Sequence, residues 1–175
     1  MVELSSKDSQ LNPNDFQWVL SMDGYSNQQG SGVGVLLEVP SRLSIEQALG
    51  FAFKASNNQV EYEALLAGML LAKELGVWNL LVQNYSLLIT GQVTGEYQAK
   101  DSQLASYLRY VRILIVAFSM FYLVHVLREQ NSRPYLLSKL VSSGKGGRQR
   151  SVIQETLKSP RTVVEGLSEV DHLEV

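Results

Sequence analysis

Three predicted strands precede the first long helix of this chain, and this order constrains the fold more than any other feature. The strands are predicted at residues 16–22, 30–37 and 44–54, where apolar runs are bounded by turn residues. The helix is predicted at 58–76, where apolar residues recur at helical spacing and Gly76 ends the run. A meander of strands followed by a crossover helix predicts a mixed sheet covered by helices.

The rest of the apolar pattern continues the alternation of strands and helices. A short apolar strand is predicted at 78–82 and another at 121–127. Strands that are apolar throughout tend to lie in the centre of a sheet beside parallel neighbours. Helices are predicted at 86–93, 101–118 and 132–141.

Length and composition are those of one globular domain with polar ends. The chain has 175 residues, of which 45% are hydrophobic and 18% are charged. This balance is typical of a folded protein. We expect a flexible segment at 1–15, a domain at 16–143 and a flexible linker and tail at 144–175. The outer segments are rich in small and polar residues and lack sustained periodicity.

Composition also excludes several classes of site. The chain has no cysteine, which excludes disulfides, cysteine zinc sites and thiol nucleophiles and is compatible with a reducing compartment. The net charge of −2 gives no global signal for nucleic acid. The longest apolar stretch, 113–126, is shorter than the ~20 residues that span a membrane. We therefore expect an intracellular protein that does not cross a membrane.

Two acidic residues lie at the boundaries of predicted elements. Asp23 follows the first apolar strand, and Glu61 opens the long helix. Each has an ordinary structural explanation, since Asp23-Gly24 is a common turn at a strand end and Glu61 would complete a capping box with Asn58 as N-cap. On these residues alone, the cap explains Glu61 better than a functional role does. A histidine in an apolar strand, such as His125, is also more often structural than catalytic.

Six ordered motifs connect these residues to a known family. They occupy residues 22–27, 30–34, 55–65, 72–76, 91–97 and 125–131. Each motif is weak alone, but in this order and spacing the chain resembles, over residues 16–143, the ribonuclease H domain of gypsy-type retrotransposon polyproteins, especially those of plants. The resemblance implies an α/β ribonuclease H-like fold with a five-stranded mixed sheet and helices on both faces.

The resemblance also implies a chemistry. Members of this family are endonucleases that hydrolyse the RNA strand of RNA–DNA hybrids, with four carboxylates that hold two Mg²⁺ ions. It assigns the first two carboxylates to Asp23 and Glu61, and a histidine near the site to His125. At the two remaining positions this chain has Tyr85 and Tyr135 where the family has aspartate. A phenol, with a pKa of about 10, is a neutral and weak ligand for Mg²⁺.

Ligands and partners follow from the same resemblance. It implies substrate contacts for a set of polar residues in the motifs: Ser26, Asn27, Asn57, Asn58 and Asn131. It implies an RNA–DNA hybrid or another nucleic acid as the ancestral partner, and reverse transcriptase and integrase domains in the same polyprotein. Because two carboxylates are left, we expect at most one weakly bound Mg²⁺ ion instead of the ancestral two.

Three interpretations of the function remain open at this point. The first is a retroelement-derived ribonuclease H domain that has lost hybrid cleavage. The second is an enzyme that keeps its activity with a substitute ligand, for which Asn84, beside Tyr85, is a candidate. The Asn84 amide is uncharged. It also lies one residue out of register with Tyr85, and on a strand a shift of one residue directs the side chain to the other face. The third is a non-catalytic module that binds hybrid nucleic acid or a protein partner.

Overall fold

The structure, a computed structural model, describes residues 16–28, 30–40, 43–127 and 152–161. None of the helices in these ranges has the length and apolar character that crossing a membrane requires. The described elements are β1 (Trp18–Asn27), β2 (Gly30–Glu38), β3 (Ser44–Phe51), α1 (Asn57–Glu74), β4 (Asn79–Asn84), α2 (Leu87–Thr94), α3 (Ser102–Ile115), β5 (Met120–His125) and β6 (Val152–Leu157).

The strands form one mixed sheet in the order β5-β4-β1-β2-β3-β6. β1, β2 and β3 are an antiparallel meander, in which Met22 pairs with Val35 and Val35 pairs with Gln47. β4 is parallel to β1, with Leu20 opposite Val82, and β5 is parallel to β4. The predicted α/β class is confirmed, with three antiparallel strands before the first long helix and apolar β4 between parallel neighbours.

A sixth strand distinguishes the observed sheet from the predicted one. β6 lies parallel to β3 at the edge of the sheet, from Val152 opposite Glu46 to Leu157 opposite Phe51. The prediction of five strands is therefore wrong by one. The sequence hides this strand because its stabilisation comes from the backbone groups at the edge of β3, which no local pattern reveals.

The domain boundaries change accordingly. Residues 152–161 lie in the segment 144–175 that is predicted to be a flexible tail, and they pack on the folded domain instead. The domain predicted at 16–143 is therefore too short at its C-terminal end. The segment 1–15 and the helix predicted at 132–141 lie outside the described residues.

Helix α1 starts from a different cap than the one predicted. Its N-cap is Ser56, whose backbone is extended (φ −72°, ψ 164°) and whose Oγ accepts a hydrogen bond from the N–H of Gln59 at 3.2 Å. The prediction of Asn58 as N-cap, with Glu61 in a capping box, is wrong because Asn58 already lies inside the helix. Glu61 is thus too far along the helix to cap it, and the ordinary explanation for this residue no longer applies.

The core lies between the sheet and α1, which packs against β1 and β2. Gly68 of α1 faces Leu20 of β1, and a Cβ on this glycine would lie 2.6 Å from Leu20 Cδ1, so a larger residue would require the buried Leu20 side chain to shift. Leu65, Leu66 and Met69 of α1 are fully buried, and burying each such side chain contributes about 1.5–3 kcal/mol. This packing holds the middle of α1 against β1.

Candidate functional site

Three of the four residues at the family's acidic positions meet where β1 and β4 run side by side. Ser21 of β1 pairs with Gln83 of β4. Because the strands are parallel, residues two positions further along, Asp23 and Tyr85, come next to each other. Asp23 lies inside β1 and pairs with Gly34, so the prediction that it occupies a turn after the strand is wrong.

Gly24 allows α1 to approach this part of β1. A Cβ on Gly24 would lie 2.2 Å from Val60 Cγ1 and 3.3 Å from Glu61 Oε1. Real Cβ atoms do not come as close as the first of these distances, so the contact needs a residue without a side chain. The glycine therefore sets the position of the Glu61 carboxylate beside Asp23.

The Tyr85 phenol joins the two carboxylates. Its hydroxyl donates a hydrogen bond of 2.5 Å to Oε1 of Glu61, and it is also hydrogen-bonded to the side chain of Asp23. Asp23 is 0% exposed and Glu61 is 7% exposed. Hydrogen bonds to carboxylates are about twice as strong as those between neutral groups. Tyr85 is therefore an integral part of the site.

The phenol at this position stays protonated. Burial raises the pKa of Tyr85 far above its usual value, and the Glu61 and Asp23 carboxylates raise it further. At neutral pH the group between the carboxylates is thus an uncharged donor. Asp23 has a second donor, since its Oδ1 accepts a hydrogen bond of 2.8 Å from the backbone N–H of Gly24.

His125 contacts the backbone of Tyr85. Its Nε2 lies 2.9 Å from the Tyr85 carbonyl oxygen. A carbonyl can only accept a hydrogen bond, so Nε2 carries the proton in this contact. The imidazole is exposed at the end of β5. The contact links β5 to the residue that follows β4 and helps to hold Tyr85 in place.

Asn84 is committed to a local turn. Its side chain is fully buried, and its Oδ1 accepts a hydrogen bond of 2.7 Å from the backbone N–H of Ser86. Ser86 in turn caps α2 by accepting from Ile89 N–H at 3.2 Å. The amide oxygen proposed as a substitute ligand is therefore committed to the turn between β4 and α2.

The predicted substrate-contact residues are spread around the site. Ser26 and Asn27 lie in the last part of β1. Asn57 and Asn58 are exposed in the first turn of α1. Asn131, like Tyr135, lies outside the described residues.

The donor set does not fit two divalent cations. Among the described residues, no group of three or more histidine, cysteine, aspartate or glutamate side chains is arranged to hold a metal ion. The described site offers two carboxylates, and the hydroxyl of Tyr85 is hydrogen-bonded to both. Two closely spaced Mg²⁺ ions need several anionic oxygen ligands.

Sequence reasoning missed the polar partners of two residues beside Glu61. Tyr62 donates a hydrogen bond of 2.5 Å to Oε1 of Gln92 on α2. Glu63 accepts one of 2.6 Å from Tyr107 on α3. The signal in the sequence was a phenol and a carboxylate at the start of an otherwise apolar helical run. Their partners lie too far along the chain to be identified from it.

Comparisons with known proteins agree with this architecture. The profile described as reverse transcriptase-like matches residues 21–141. Ribonuclease HI of Halobacterium salinarum is 32% identical to this chain over 80 residues. The match covers 46% of this chain, which spans only 40% of that relative's length.

Solved structures of ribonucleases H superimpose on most of the chain. The ribonuclease H1 of Halobacterium salinarum gives a TM-score of 0.66 at 26% identity, over 73% of this chain and 98% of the other. An N-terminal RNase H domain from Mycobacterium tuberculosis, fused to maltose-binding protein, gives a TM-score of 0.65 at 24% identity, over 74% of this chain and 96% of the other. LC11-RNase H1 in complex with an RNA/DNA hybrid gives a TM-score of 0.63 at 23% identity, over 70% of this chain and 94% of the other.

Proposed function

This chain belongs to the reverse transcriptase-like family and contains a ribonuclease H-like domain, and from that premise we propose that it descends from an enzyme that cleaved the RNA strand of RNA–DNA hybrids and has lost this activity. The ancestral enzyme in this proposal is the ribonuclease H of a gypsy-type retroelement, with reverse transcriptase and integrase as neighbours in its polyprotein. The ancestral substrate is the hybrid, and the ancestral cofactor is a pair of Mg²⁺ ions.

The observation that carries the proposal is the phenol between the two carboxylates. Tyr85 donates to Glu61 at 2.5 Å and is hydrogen-bonded to Asp23. A phenol that stays protonated supplies no negative charge to a cation. It also holds the oxygens that a cation would need. The proposed loss of activity thus has two causes, a missing negative charge and carboxylates that are already engaged by the phenol.

Charge supports the same conclusion. In-line displacement at a phosphate uses two ions that stabilise the attacking and leaving oxygens. Asp23 and Glu61 supply at most two negative charges, and Tyr85 and Tyr135 supply none at neutral pH. A site of this kind holds at most one Mg²⁺ ion weakly. Neither Asn84 nor His125 restores the balance, because one caps a turn and the other contacts a backbone carbonyl.

A cleavage assay tests the proposal directly. The purified protein is incubated with a labelled RNA–DNA hybrid and with Mg²⁺ or Mn²⁺, and the RNA products are resolved. We expect no cleavage above that of a buffer control. The matched positive control is the variant Tyr85→Asp with Tyr135→Asp, which has all four carboxylates. Robust cleavage by the unmodified protein would overturn the proposal.

A binding assay separates the two non-catalytic outcomes. Hybrid binding that weakens as salt rises, without cleavage, would indicate that the domain still contacts phosphates. In that case the fold serves as a nucleic-acid-binding module. Absence of hybrid binding would leave a protein partner as the remaining role for a domain that keeps its fold.

A further inference from the structure

Glu63 is a carboxylate inside the folded domain, on the side of the first turns of α1 away from Glu61. It is 0% exposed. Its Oε2 accepts hydrogen bonds from the Tyr107 hydroxyl at 2.6 Å and from the backbone N–H of Arg161 at 2.9 Å. Its Oε1 lies 3.1 Å from Nη1 of Arg161. A buried carboxylate needs a cation and donors to be tolerated, and here the cation comes from a residue 98 positions away.

The segment that carries Arg161 is held along the edge of the sheet by its backbone. β6 pairs with β3 in parallel over six residues, ending with Leu157 opposite Phe51. One more backbone bond extends this pairing, from Ala52 N–H to the Leu157 carbonyl at 2.9 Å. Four residues after the last pair, the chain reaches Glu63 with the side chain of Arg161.

We propose that the edge of β3 together with Glu63 is a strand-binding site, whose ligand is an extended segment with an arginine four residues beyond its last paired residue. The occupant is the chain's own segment, residues 152–161. The backbone of β3 provides affinity that depends little on sequence, as when a peptide adds a strand to a sheet edge. Glu63 provides the specificity, because it accepts a side-chain and a main-chain N–H from one residue.

The receiving side is organised by other parts of the fold. Tyr107, which donates to Glu63, is itself fully buried and stacks on Tyr62 with ring centroids 5.4 Å apart. Tyr62 is fixed by its bond to Gln92. Glu63 therefore keeps its position and one donor when the segment is removed. Without Arg161, however, the buried Glu63 carboxylate has no cation among these contacts, and this favours binding of the segment that carries Arg161.

Hydrogen exchange on the full-length protein tests the role of Arg161. In Arg161→Ala we expect amides of β6 to exchange at least about a hundredfold faster, since breaking a buried ion pair of this kind is strongly destabilising. The strands β1 and β2 should keep their protection. The matched control is Lys158→Ala, an exposed cation of the same segment, which should leave exchange unchanged. Unchanged protection of β6 in Arg161→Ala would overturn the proposal.

Binding in trans tests whether the site recognises the segment as a ligand. A fluorescent peptide with the sequence of residues 150–163 is titrated into full-length Arg161→Ala. We expect saturable binding at least about tenfold tighter than to the wild type, whose own segment competes at high effective concentration. The same peptide carrying Arg161→Ala, with Arg150 retained, should bind the variant protein much more weakly, because the backbone pairing with β3 remains but Glu63 loses its specific partner. Failure of the peptide to bind a variant whose β6 is released would contradict the proposal.

Two further measurements cover the remaining outcomes. Far-ultraviolet circular dichroism of Arg161→Ala and of the milder Arg161→Lys reports whether the domain stays folded. Global unfolding of both would overturn the idea of a separable ligand, because the segment would then be inseparable from the core. Light scattering gives the mass of the wild type. A dimer that dissociates in Arg161→Ala would show that the occupant is the segment of a second copy, and would overturn the assignment to the chain's own segment.

Discussion

The hydroxyl of Tyr85 lies 2.5 Å from Oε1 of Glu61, and the same hydroxyl is hydrogen-bonded to Asp23. Two buried acidic side chains from different elements are thus connected through one neutral group. Carboxylates so close together repel each other when nothing lies between them. The tyrosine therefore stabilises the fold at the position where we propose that its ancestor bound metal.

Removal of this hydroxyl should destabilise the protein. Tyr85→Phe leaves both carboxylates buried with one donor fewer, and we expect a loss of about 1–3 kcal/mol in the free energy of unfolding. Urea denaturation of the wild type and the variant measures the difference. Tyr122→Phe, at a tyrosine that is 44% exposed on β5, is the matched control and should change the stability little. Equal stability of all three proteins would show that the phenol does not link the carboxylates.

Restoring both acids should restore part of the proposed ancestral activity. We expect Tyr85→Asp with Tyr135→Asp to cleave hybrid in the presence of Mg²⁺, whereas either change alone does little because the displacement uses two ions. Product formation in single-turnover assays measures the effect. Without metal, the double variant should be less stable than the wild type, since four clustered carboxylates repel. A folded double variant that remains inactive would show that residues beyond the ligands have diverged.

Because Ser56 caps α1 and Asn58 does not, we expect alanine substitutions at these two residues to have different effects on stability. Ser56→Ala removes the hydroxyl that accepts from Gln59 N–H, and we expect a loss of about 1 kcal/mol. Asn58→Ala replaces an exposed residue inside the helix with a better helix former. The free energy of unfolding should therefore stay equal or rise by a few tenths of a kcal/mol. Thermal unfolding followed by circular dichroism distinguishes the two. A larger loss in Asn58→Ala would restore Asn58 as the cap.

Tyr62 should make the protein sensitive to alkali. Burial raises the pKa of Tyr62 above its usual value of about 10, and the positive charge of Arg112 offsets part of this increase. Below pH of about 10 the phenol is protonated in both states, so it adds no pH dependence. Above a pH of about 10, Tyr62 loses its proton in the unfolded state and keeps it in the folded state. The free energy of unfolding therefore falls by about 1.4 kcal/mol per pH unit.

Comparison with Tyr62→Phe isolates this contribution. The variant starts from a lower stability, because Gln92 loses the donor at 2.5 Å. Its stability should fall less steeply between pH values of about 10 and 12. Urea denaturation at several pH values gives the two slopes. Parallel curves for the wild type and the variant would show that Tyr62 ionises equally in both states.

The sequence predicted those parts of the fold that depend on neighbouring residues. The spacing of apolar residues predicted five strands and the three helices that the structure describes, because periodicity and turn residues act over a few positions. The α3 cap is one such local feature, since Asp101 accepts from the N–H groups of Gln103 and Leu104, two and three residues later. The ordered motifs also identified Asp23, Glu61 and Tyr85 as positions that belong together.

Where the sequence allowed more than one local arrangement, only the tertiary structure determined which one forms. Ser56 and Asn58 are both good N-cap residues. Packing of α1 against β1 fixes where the helix begins, and the extended backbone then falls at Ser56. The same packing, with Gly24 against Val60, brings Glu61 to Asp23. The resemblance assigned Tyr85 to an acidic position of the family, and the structure shows that its hydroxyl donates to Glu61 and is hydrogen-bonded to Asp23.

Contacts across the chain were decided by the tertiary structure alone. β6 exists because β3 offers an edge of unpaired backbone groups, and Arg161 is placed because it pairs with the buried carboxylate of Glu63. Neither residue predicts the other, since a buried carboxylate requires a cation without specifying where along the chain it comes from. Local patterns therefore determined the elements, and desolvation of backbone and charge in the assembled core determined the contacts that complete them.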